Sequence, residues 1–377
     1  MARNVLVIGG GAAGLIAAAA AASAGANTVI LERMRRPGRK LVITGKGRCN
    51  LTNIEPVEEF IQHFGANGPF LRQAFYRFFS DDLIDLLHAN GVDTVQERGG
   101  RIFPISSRAQ DVVDALQQWA LGQGVEIRPL TRVKSLELEG ERIACVAETR
   151  AGQISTFSSD AVIVATGGLS YPATGSSGDG YRWARQFGHT IVPTRPALVP
   201  LITAGDTAAQ LQGLALRNVR ARLLIDDQVL QEQFGEMLFT HDGVSGPIIL
   251  TLSKHAVDAL AKNRTLQLSI DLKPALDREK LDTRLLRDID NSGRKSTANL
   301  LKQLLPRKMI PVCIHQTSLS PDKPGHQITA QDRLRLLNWL KNFRLDVVGH
   351  RSIDEAIVTA GGVSTKEINP KTMESRL

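Results

Sequence analysis

The sequence of 377 residues predicts an α/β protein whose first domain is interrupted by an inserted β-rich and helical region. Three observations predict it. A glycine-rich turn links an apolar strand to an alanine-rich helix close to Met1. A second buried-type strand, AVIVA at 161–165, runs into another pair of glycines. Pro193, Pro196 and Pro200 then mark a change of texture. An apolar strand and glycines return only near the C-terminal end, in EAIVTAGGV.

The elements follow in order. NVLVI at 4–8 is a continuous apolar run, as expected for a strand buried on both faces. Residues 15–24 are rich in alanine, the strongest helix former, and Gly25 supplies the helix stop. TVIL at 28–31 is the next strand, so strand, turn, helix and strand form a βαβ unit. Residues 58–90 carry apolar side chains at helical spacings, and 106–122 read as a further helix. Residues 125–128, 132–138 and 143–147 read as short strands. Beyond Gly188 the texture is short alternating strands (ARLLI, LQLSIDL), then a charged helical stretch over 276–305. A helix over 328–343 is opened by Thr329. The expected division is therefore 1–190, an insertion over 191–352, and a return over 353–377.

Composition bounds the function. The chain is 42% apolar and 22% charged, ordinary for a globular protein, which excludes wholesale disorder and fibrous classes. Lys and Arg number 46 against 38 Asp and Glu, a net charge of +8 that favours polyanionic partners. Three scattered cysteines, Cys49, Cys145 and Cys313, make no disulfide framework and fit a reducing, cytoplasmic setting. No charge occurs between Val5 and Leu31, but three consecutive glycines and a second strand-like run argue against a membrane helix there. No other segment is long and apolar enough to span a bilayer, so no membrane partner is expected.

Gly9, Gly11 and Gly14 form G-x-G-x-x-G, and Ala13 lies within it. Gly9 allows the tight turn, Gly11 lets a pyrophosphate approach the backbone, and Gly14 lets helix and strand close on each other. A helix N-terminus beside such a turn offers free N–H groups and a positive dipole. Glu32, at the end of the second strand, is placed to accept from a ribose hydroxyl pair. A glycine-rich turn without a ligand is the competing reading. The strand before, the helix after and the acid at the right distance favour a Rossmann-like dinucleotide site.

A second motif, GRKLVITGKGRCNLTN at 38–53, is glycine-rich, basic and amide-rich. Arg39, Lys40 and Arg48 suit phosphates. Gly45 and Gly47 leave the backbone bare for a flat ligand, and Asn50 and Asn53 offer paired donors and acceptors. A solvated basic loop explains the same residues equally well. Cys49 sits between Arg48 and Asn50. A neighbouring arginine would lower its pKa and make it a proton donor to a substrate carbon. A small buried filler is the competing reading. His241, in FTHDGVSGP, has a similar choice between a site and a backbone-bonding loop. Cys145 and Cys313 lie in apolar strand-like runs and read as core.

These two motifs, with RIFPISSRAQDVV at 101–113, ATGGLSYPATGSSGDGY at 165–181, MLFTHDGVSGP at 237–247 and AIVTAGGVSTKEINPKTMESRL at 356–377, resemble the BaiN/YhiN-type, aminoacetone-oxidase-like family of bacterial FAD-dependent flavoproteins. The resemblance covers essentially the whole chain. It implies a Rossmann-like FAD-binding domain, with Glu32 at the adenosine ribose and Arg39, Lys40 and the 45–53 loop along pyrophosphate and flavin. It also implies backbone contacts to adenine from a strand near Val133, and a close passage of Thr166 and Gly167 by the cofactor. The inserted region would cap the flavin. Family members continue past the position of Leu377 into a G-L-Y-F-A-G-E-like strand and a G-G-Y-N-like segment. The chain is therefore expected to be truncated there, with flavin affinity resting on the tail.

There is no P-loop, no G-x-S-x-G elbow, no metal-ligand spacing among the histidines and no second glycine fingerprint. No metal is expected, and NAD(P)H, the possible electron donor, would act without a domain of its own. Three functions remain. One is reduction of a C=C bond in ribosomal RNA, uridine to dihydrouridine, with Arg284, Arg287, Arg294, Lys295, Lys302, Arg307 and Lys308 holding phosphates. The second is a small-molecule flavoenzyme, an enone reductase or amine oxidase. The third is a non-catalytic flavin- or RNA-binding protein. The basic residues read equally as exposed helix faces, and Asp282, Asp288 and Asp290 are interleaved among them.

Overall fold

A computed structural model describes residues 2–377 and divides the chain into two compact units. The first runs to Thr194 and resumes at Gly361–Leu377; the second is Arg195–Ala360. The chain thus enters the insertion at 195 and leaves it at 360, where the sequence placed these crossings at 191 and 352.

The first unit is built on a four-stranded parallel sheet in the order Ala161–Val164, Asn4–Ile8, Asn27–Leu31, Glu126–Arg128. Alternation along each strand decides what each face covers. Val7 and Ile30 face one way, into a core with Leu15, Ala18 and Ala19 of helix Ala12–Ser23 and Val112 and Leu116 of helix Ala109–Gly122. Leu6, Ile8 and Leu31 face the other way. They meet Val133, Leu136 and Cys145 of the antiparallel strands Thr131–Glu139 and Arg142–Thr149, together with Trp183. The small alanines let the first helix lie close on the sheet.

The stretch expected as one helix over 58–90 is three: Val57–Gln62, Gly68–Arg77 and Ser80–Ala89. Gly65, at a φ of 59°, breaks the first junction. Extended Phe79 breaks the second, its N–H donating to Asp82 at 2.7 Å. The phenylalanines that produced the helical spacing, Phe60, Phe64, Phe75 and Phe79, instead stack on one another with centroids 5.1–5.9 Å apart.

The second unit is a closed six-stranded barrel in the order Leu201–Thr203, Gly243–Ser245, Gln228–Phe239, Ala215–Ile225, Leu266–Asp271, Phe343–His350, returning to the first. Every neighbouring pair is antiparallel. Helices Pro247–Leu260, Arg278–Asp290, Thr297–Leu301, Met309–Thr317 and Ala330–Lys341 accompany it. The charged stretch over 276–305 is thus two helices, parted by a turn at 291–296. Cys313 lies in a helix and not in a strand, fully buried among apolar side chains. Thr329 caps the last helix, accepting from the Asp332 N–H at 3.1 Å while Asp332 accepts from the Thr329 N–H at 3.0 Å.

Candidate functional site

The carboxyl ends of the parallel strands open onto a cavity of about 1420 Å³ within the first unit, where ligands of open α/β sheets bind. Ile8, Leu31 and Val164 bring the strands to its wall. Gly9, Gly11 and Ala13 line it at the first turn, and Gly14 packs behind.

The turn is shaped for close backbone approach. Gly9 has a φ of 105°, and a Cβ there would stand 2.6 Å from the Ala165 carbonyl oxygen. A Cβ at Gly14 would stand 1.8 Å from the Gly9 carbonyl oxygen. At Gly11 a Cβ would meet nothing within 4 Å. The outer glycines therefore let helix, turn and strand close together, and the middle one leaves open space. Gly11 precedes helix Ala12–Ser23, and no side chain caps that end. Its first N–H groups and dipole are left for an anion. A bare cradle, an uncapped helix end and a large cavity fit the pyrophosphate of a dinucleotide such as FAD.

Glu32 lies at the wall and is buried. Its Oε2 accepts from the Gly10 N–H at 2.6 Å and its Oε1 from the Met34 N–H at 2.7 Å. The carboxylate thus ties the turn to the strand end, and each oxygen keeps a lone pair for a ribose hydroxyl. Burial pushes its pKa above the usual range. The two backbone bonds and the charges of Arg33 and Arg39 pull the other way but do not win.

Arg39 and Lys40 line the cavity from the start of helix Arg39–Ile43. The Lys40 ammonium donates to the Ser170 carbonyl at 2.8 Å and the Ser176 hydroxyl at 2.7 Å. Burial lowers its pKa. Val133, Thr166 and Gly167 also line the cavity. Gly167 is at a φ of 71°, and Ser176 Oγ lies 2.7 Å from where its Cβ would be.

The second half of the basic loop is placed differently. Gly45, Gly47, Arg48, Asn50 and Asn53 are outside the lining of this cavity. Arg48 bonds Glu97 and lies over the Phe103 ring, 4.3 Å from its centroid. Asn53 donates to the Gly99 carbonyl at 2.8 Å and accepts from the Glu55 N–H at 3.0 Å. Gly45 and Gly47 sit in a tight turn with φ of 56° and 87°. The acidity expected of Cys49 is corrected. Its side chain is fully buried in the core with Val7, Leu15 and Ile30, and burial raises its pKa despite a bond from Thr44.

His241 lies exposed in the second unit, 2.6 Å from the Arg351 guanidinium. Four of the seven cations considered for RNA are engaged by other groups of the chain. Arg284 and Arg287 each pair with Asp288 at 3.4 Å, Lys302 donates to Asn299, and Lys308 donates to the Gln212 carbonyl. Arg294, Lys295 and Arg307 are simply exposed. Among the described residues, no group of His, Cys, Asp or Glu is arranged to hold a metal, and no helix is long and apolar enough to cross a membrane.

Sequence reasoning missed Tyr181 and His189, both at the cavity wall. Burial raises the Tyr181 pKa, so its hydroxyl keeps its proton. His189 contacts Glu367 at 3.2 Å and Ser375 at 2.8 Å. Those partners are far along the chain, so no local signal marks the histidine. Tyr181 was findable, because the helix Asp179–Gln186 follows directly on the glycine- and serine-rich stretch.

Comparison with known proteins identifies the family. Residues 3–377 match the HI0933-like protein Rossmann domain. The 3-dehydro-bile acid delta(4,6)-reductase of Clostridium scindens is 32% identical over 93% of this chain and 84% of its own. The ribosomal RNA dihydrouridine synthase of Escherichia coli K12 is 31% identical over 99% of this chain and 88% of its own. Among solved structures, the 3-ketosteroid-delta4-(5alpha)-dehydrogenase of Rhodococcus jostii RHA1 aligns over 99% of this chain and 89% of its own, with 14% identity and a TM-score of 0.47.

Proposed function

The chain belongs to the HI0933-like family of Rossmann-fold proteins and is an FAD-dependent oxidoreductase, and we propose that it reduces a C=C bond conjugated to a carbonyl, with a uridine of ribosomal RNA as substrate and NAD(P)H as electron donor. The observation that carries the redox half is the cavity at the strand ends, with its uncapped helix and bare glycine. The two relatives share one kind of chemistry. A 3-dehydro-bile acid with a delta(4,6) unsaturation and the uracil ring both present a C=C bond polarised by a carbonyl. The RNA half rests on the net charge of +8 and on the relative that aligns over 99% of the chain.

FAD, when bound, supplies the hydride chemistry, passing the equivalent of one hydride from NAD(P)H to a ring carbon. The chain's residues supply the rest. The N–H groups at the start of helix Ala12–Ser23 hold the pyrophosphate, and Glu32 holds the adenosine ribose. Arg39 and Lys40 would offset phosphate charge, backbone near Val133 would meet the adenine, and Thr166 and Gly167 bound the cavity where the strand ends. The C5=C6 π bond is lost as one carbon takes hydride and its neighbour takes a proton. Tyr181 Oη, which keeps its proton through burial, is a proton-bearing atom at the cavity wall suited to hold that proton. The base must leave its stack to be reduced.

The test is an absorbance spectrum of the FAD-loaded protein without air, before and after NADPH, followed by incubation with ribosomal RNA. The expected result is bleaching of the flavin bands by NADPH, return of colour with RNA, and a uridine heavier by two hydrogens. Bleaching with return of colour only on a steroid enone would make the substrate a small molecule. A chain that takes up no FAD would remove the cofactor assignment.

A further inference from the structure

We infer that the outer face of the barrel is a binding surface for single-stranded RNA, its phosphates held in a hollow of about 620 Å³ lined by Arg220, Arg222, Arg278, Lys341 and Arg344. The inference rests on the RNA reading above and adds to it the place where the nucleic acid is held.

Cross-strand register builds the surface. Glu232, Arg222, Ser269 and Arg344 stand opposite one another on four successive strands. Two residues away, Phe234, Arg220 and Asp271 form a parallel row. Partners in register share a face of the sheet. The residues between the rows, Ala221 and Ile270, are fully buried inside the barrel, so these rows face outward. Three gaps between strands span about 14 Å, more than one phosphate occupies.

The charges are unevenly offset. Five cations line the hollow against the carboxylates of Asp271 and Asp277. Lys341 is held by Asp271 at 2.5 Å. Arg220 and Arg222 share Glu232, at 3.3 and 2.7 Å. Arg278 donates to the neutral Asn338, and Arg344 to the neutral Gln267 and Asn342, with Asp227 at 3.7 Å. The Nε of Arg220 is the atom that faces Glu232, so one carboxylate serves two guanidinium groups. Phe234 is 53% exposed at the end of the Arg220 row, an unusual setting for so large an apolar side chain. An aromatic ring beside arginines is how base faces and phosphates of a single strand are taken together. A free phosphate would leave the ring unused.

The experiment measures binding of a single-stranded ribosomal RNA fragment to the FAD-loaded chain across a salt series. With Arg222→Gln and Arg344→Gln together, the slope of log K against log salt should fall by about 1.4, two contacts at about 0.7 each for a single strand. Glu232→Gln frees two arginines and should tighten binding and steepen the slope, which a merely damaged fold cannot do. Phe234→Ala should weaken binding about tenfold at an unchanged slope. Flavin absorbance should be the same in all variants. If the wild type binds with a steep slope and neither the double variant nor Glu232→Gln changes it, the inference is wrong while the RNA reading stands. If the wild type neither binds nor reduces the fragment, both fall. If inorganic phosphate raises the melting temperature of the wild type and not of the double variant, while RNA shows no salt slope, the hollow takes a small anion and the inference is overturned.

Discussion

The parallel sheet of the first unit is built of short apolar strands and the closed barrel of the second of longer alternating ones, and they leave room for a ligand in different places. In the sheet, both faces are covered, by helices on one side and by an antiparallel layer on the other. The strand ends remain open, and Ile8, Leu31 and Val164 deliver the chain into turns that bound a cavity. In the barrel the order of strands closes on itself, so there is no edge. Its interior is filled by Val219, Leu223, Leu268, Ile270 and Phe343. Only the outward half of each strand is left for contact with another molecule. A ligand site at strand ends is made of turns, which are local in sequence. A ligand site on a barrel face is made of register, which is not.

The largest effect should come from emptying the barrel. Phe343 is fully buried, with its ring centroid 5.1 Å from Trp339 and 6.4 Å from Phe239. Phe343→Ala should cost about 4 kcal/mol in chemical denaturation, from lost transfer energy and the cavity left behind. A loss below about 1 kcal/mol would mean that the interior is not closely packed, and the contrast between filled barrel and open strand ends would fail.

The glycine turn comes next, and a pair of substitutions separates fold from ligand. Gly14→Ala places a methyl 1.8 Å from a backbone oxygen. It should destabilise by about 3 kcal/mol, since backbone and not a flexible side chain must move. Gly11→Ala places its methyl in open space beside the uncapped helix end. It should cost about 1 kcal/mol or less in stability, the loss of a tolerated N-cap, while weakening FAD binding measured by absorbance titration. Equal losses of stability in the two variants would show that the middle glycine serves packing and not the ligand.

The same contrast governs what the sequence reveals. The glycines at 9, 11 and 14, Glu32 and the return to an apolar strand near the C-terminal end are legible because each is a local pattern with a local cause. The inserted region was legible as β-rich and helical, from proline punctuation and alternation. That it closes into a barrel was not, since closure depends on Leu201–Thr203 pairing with Phe343–His350 across most of the unit. The 38–53 loop divides: Arg39 and Lys40 line the cavity while Gly45 to Asn53 do not, because glycine beside lysine and arginine serves a tight turn as well as a phosphate. Arg48 is occupied by Glu97 and Phe103, and nothing near Arg48 in sequence announces either. Four of the seven cations chosen by density in sequence are engaged by other groups, whereas Arg220, Arg222 and Arg344 meet through strand register.

Cys49 should give the smallest effect and tests where the chemistry of the first unit resides. It is fully buried in the covered core and is outside the lining of the cavity. Cys49→Ala should leave turnover and its pH profile unchanged and cost about 1 kcal/mol in stability. The remaining signature is alkaline. Burial holds the folded thiol above the ordinary value of about 8.5. As pH rises past that value, the unfolded chain releases this proton while the folded chain keeps it, so the unfolded state binds fewer protons and stability falls. The slope is at most about 1.4 kcal/mol per pH unit for each such thiol. Burial also pushes Cys145 and Cys313 up to about 12, so the alkaline decline should persist in the variant, but less steeply. Denaturation midpoints at neutral pH and above pH 9 give the comparison. An unchanged alkaline slope together with lost turnover would move Cys49 out of the core and into the reaction.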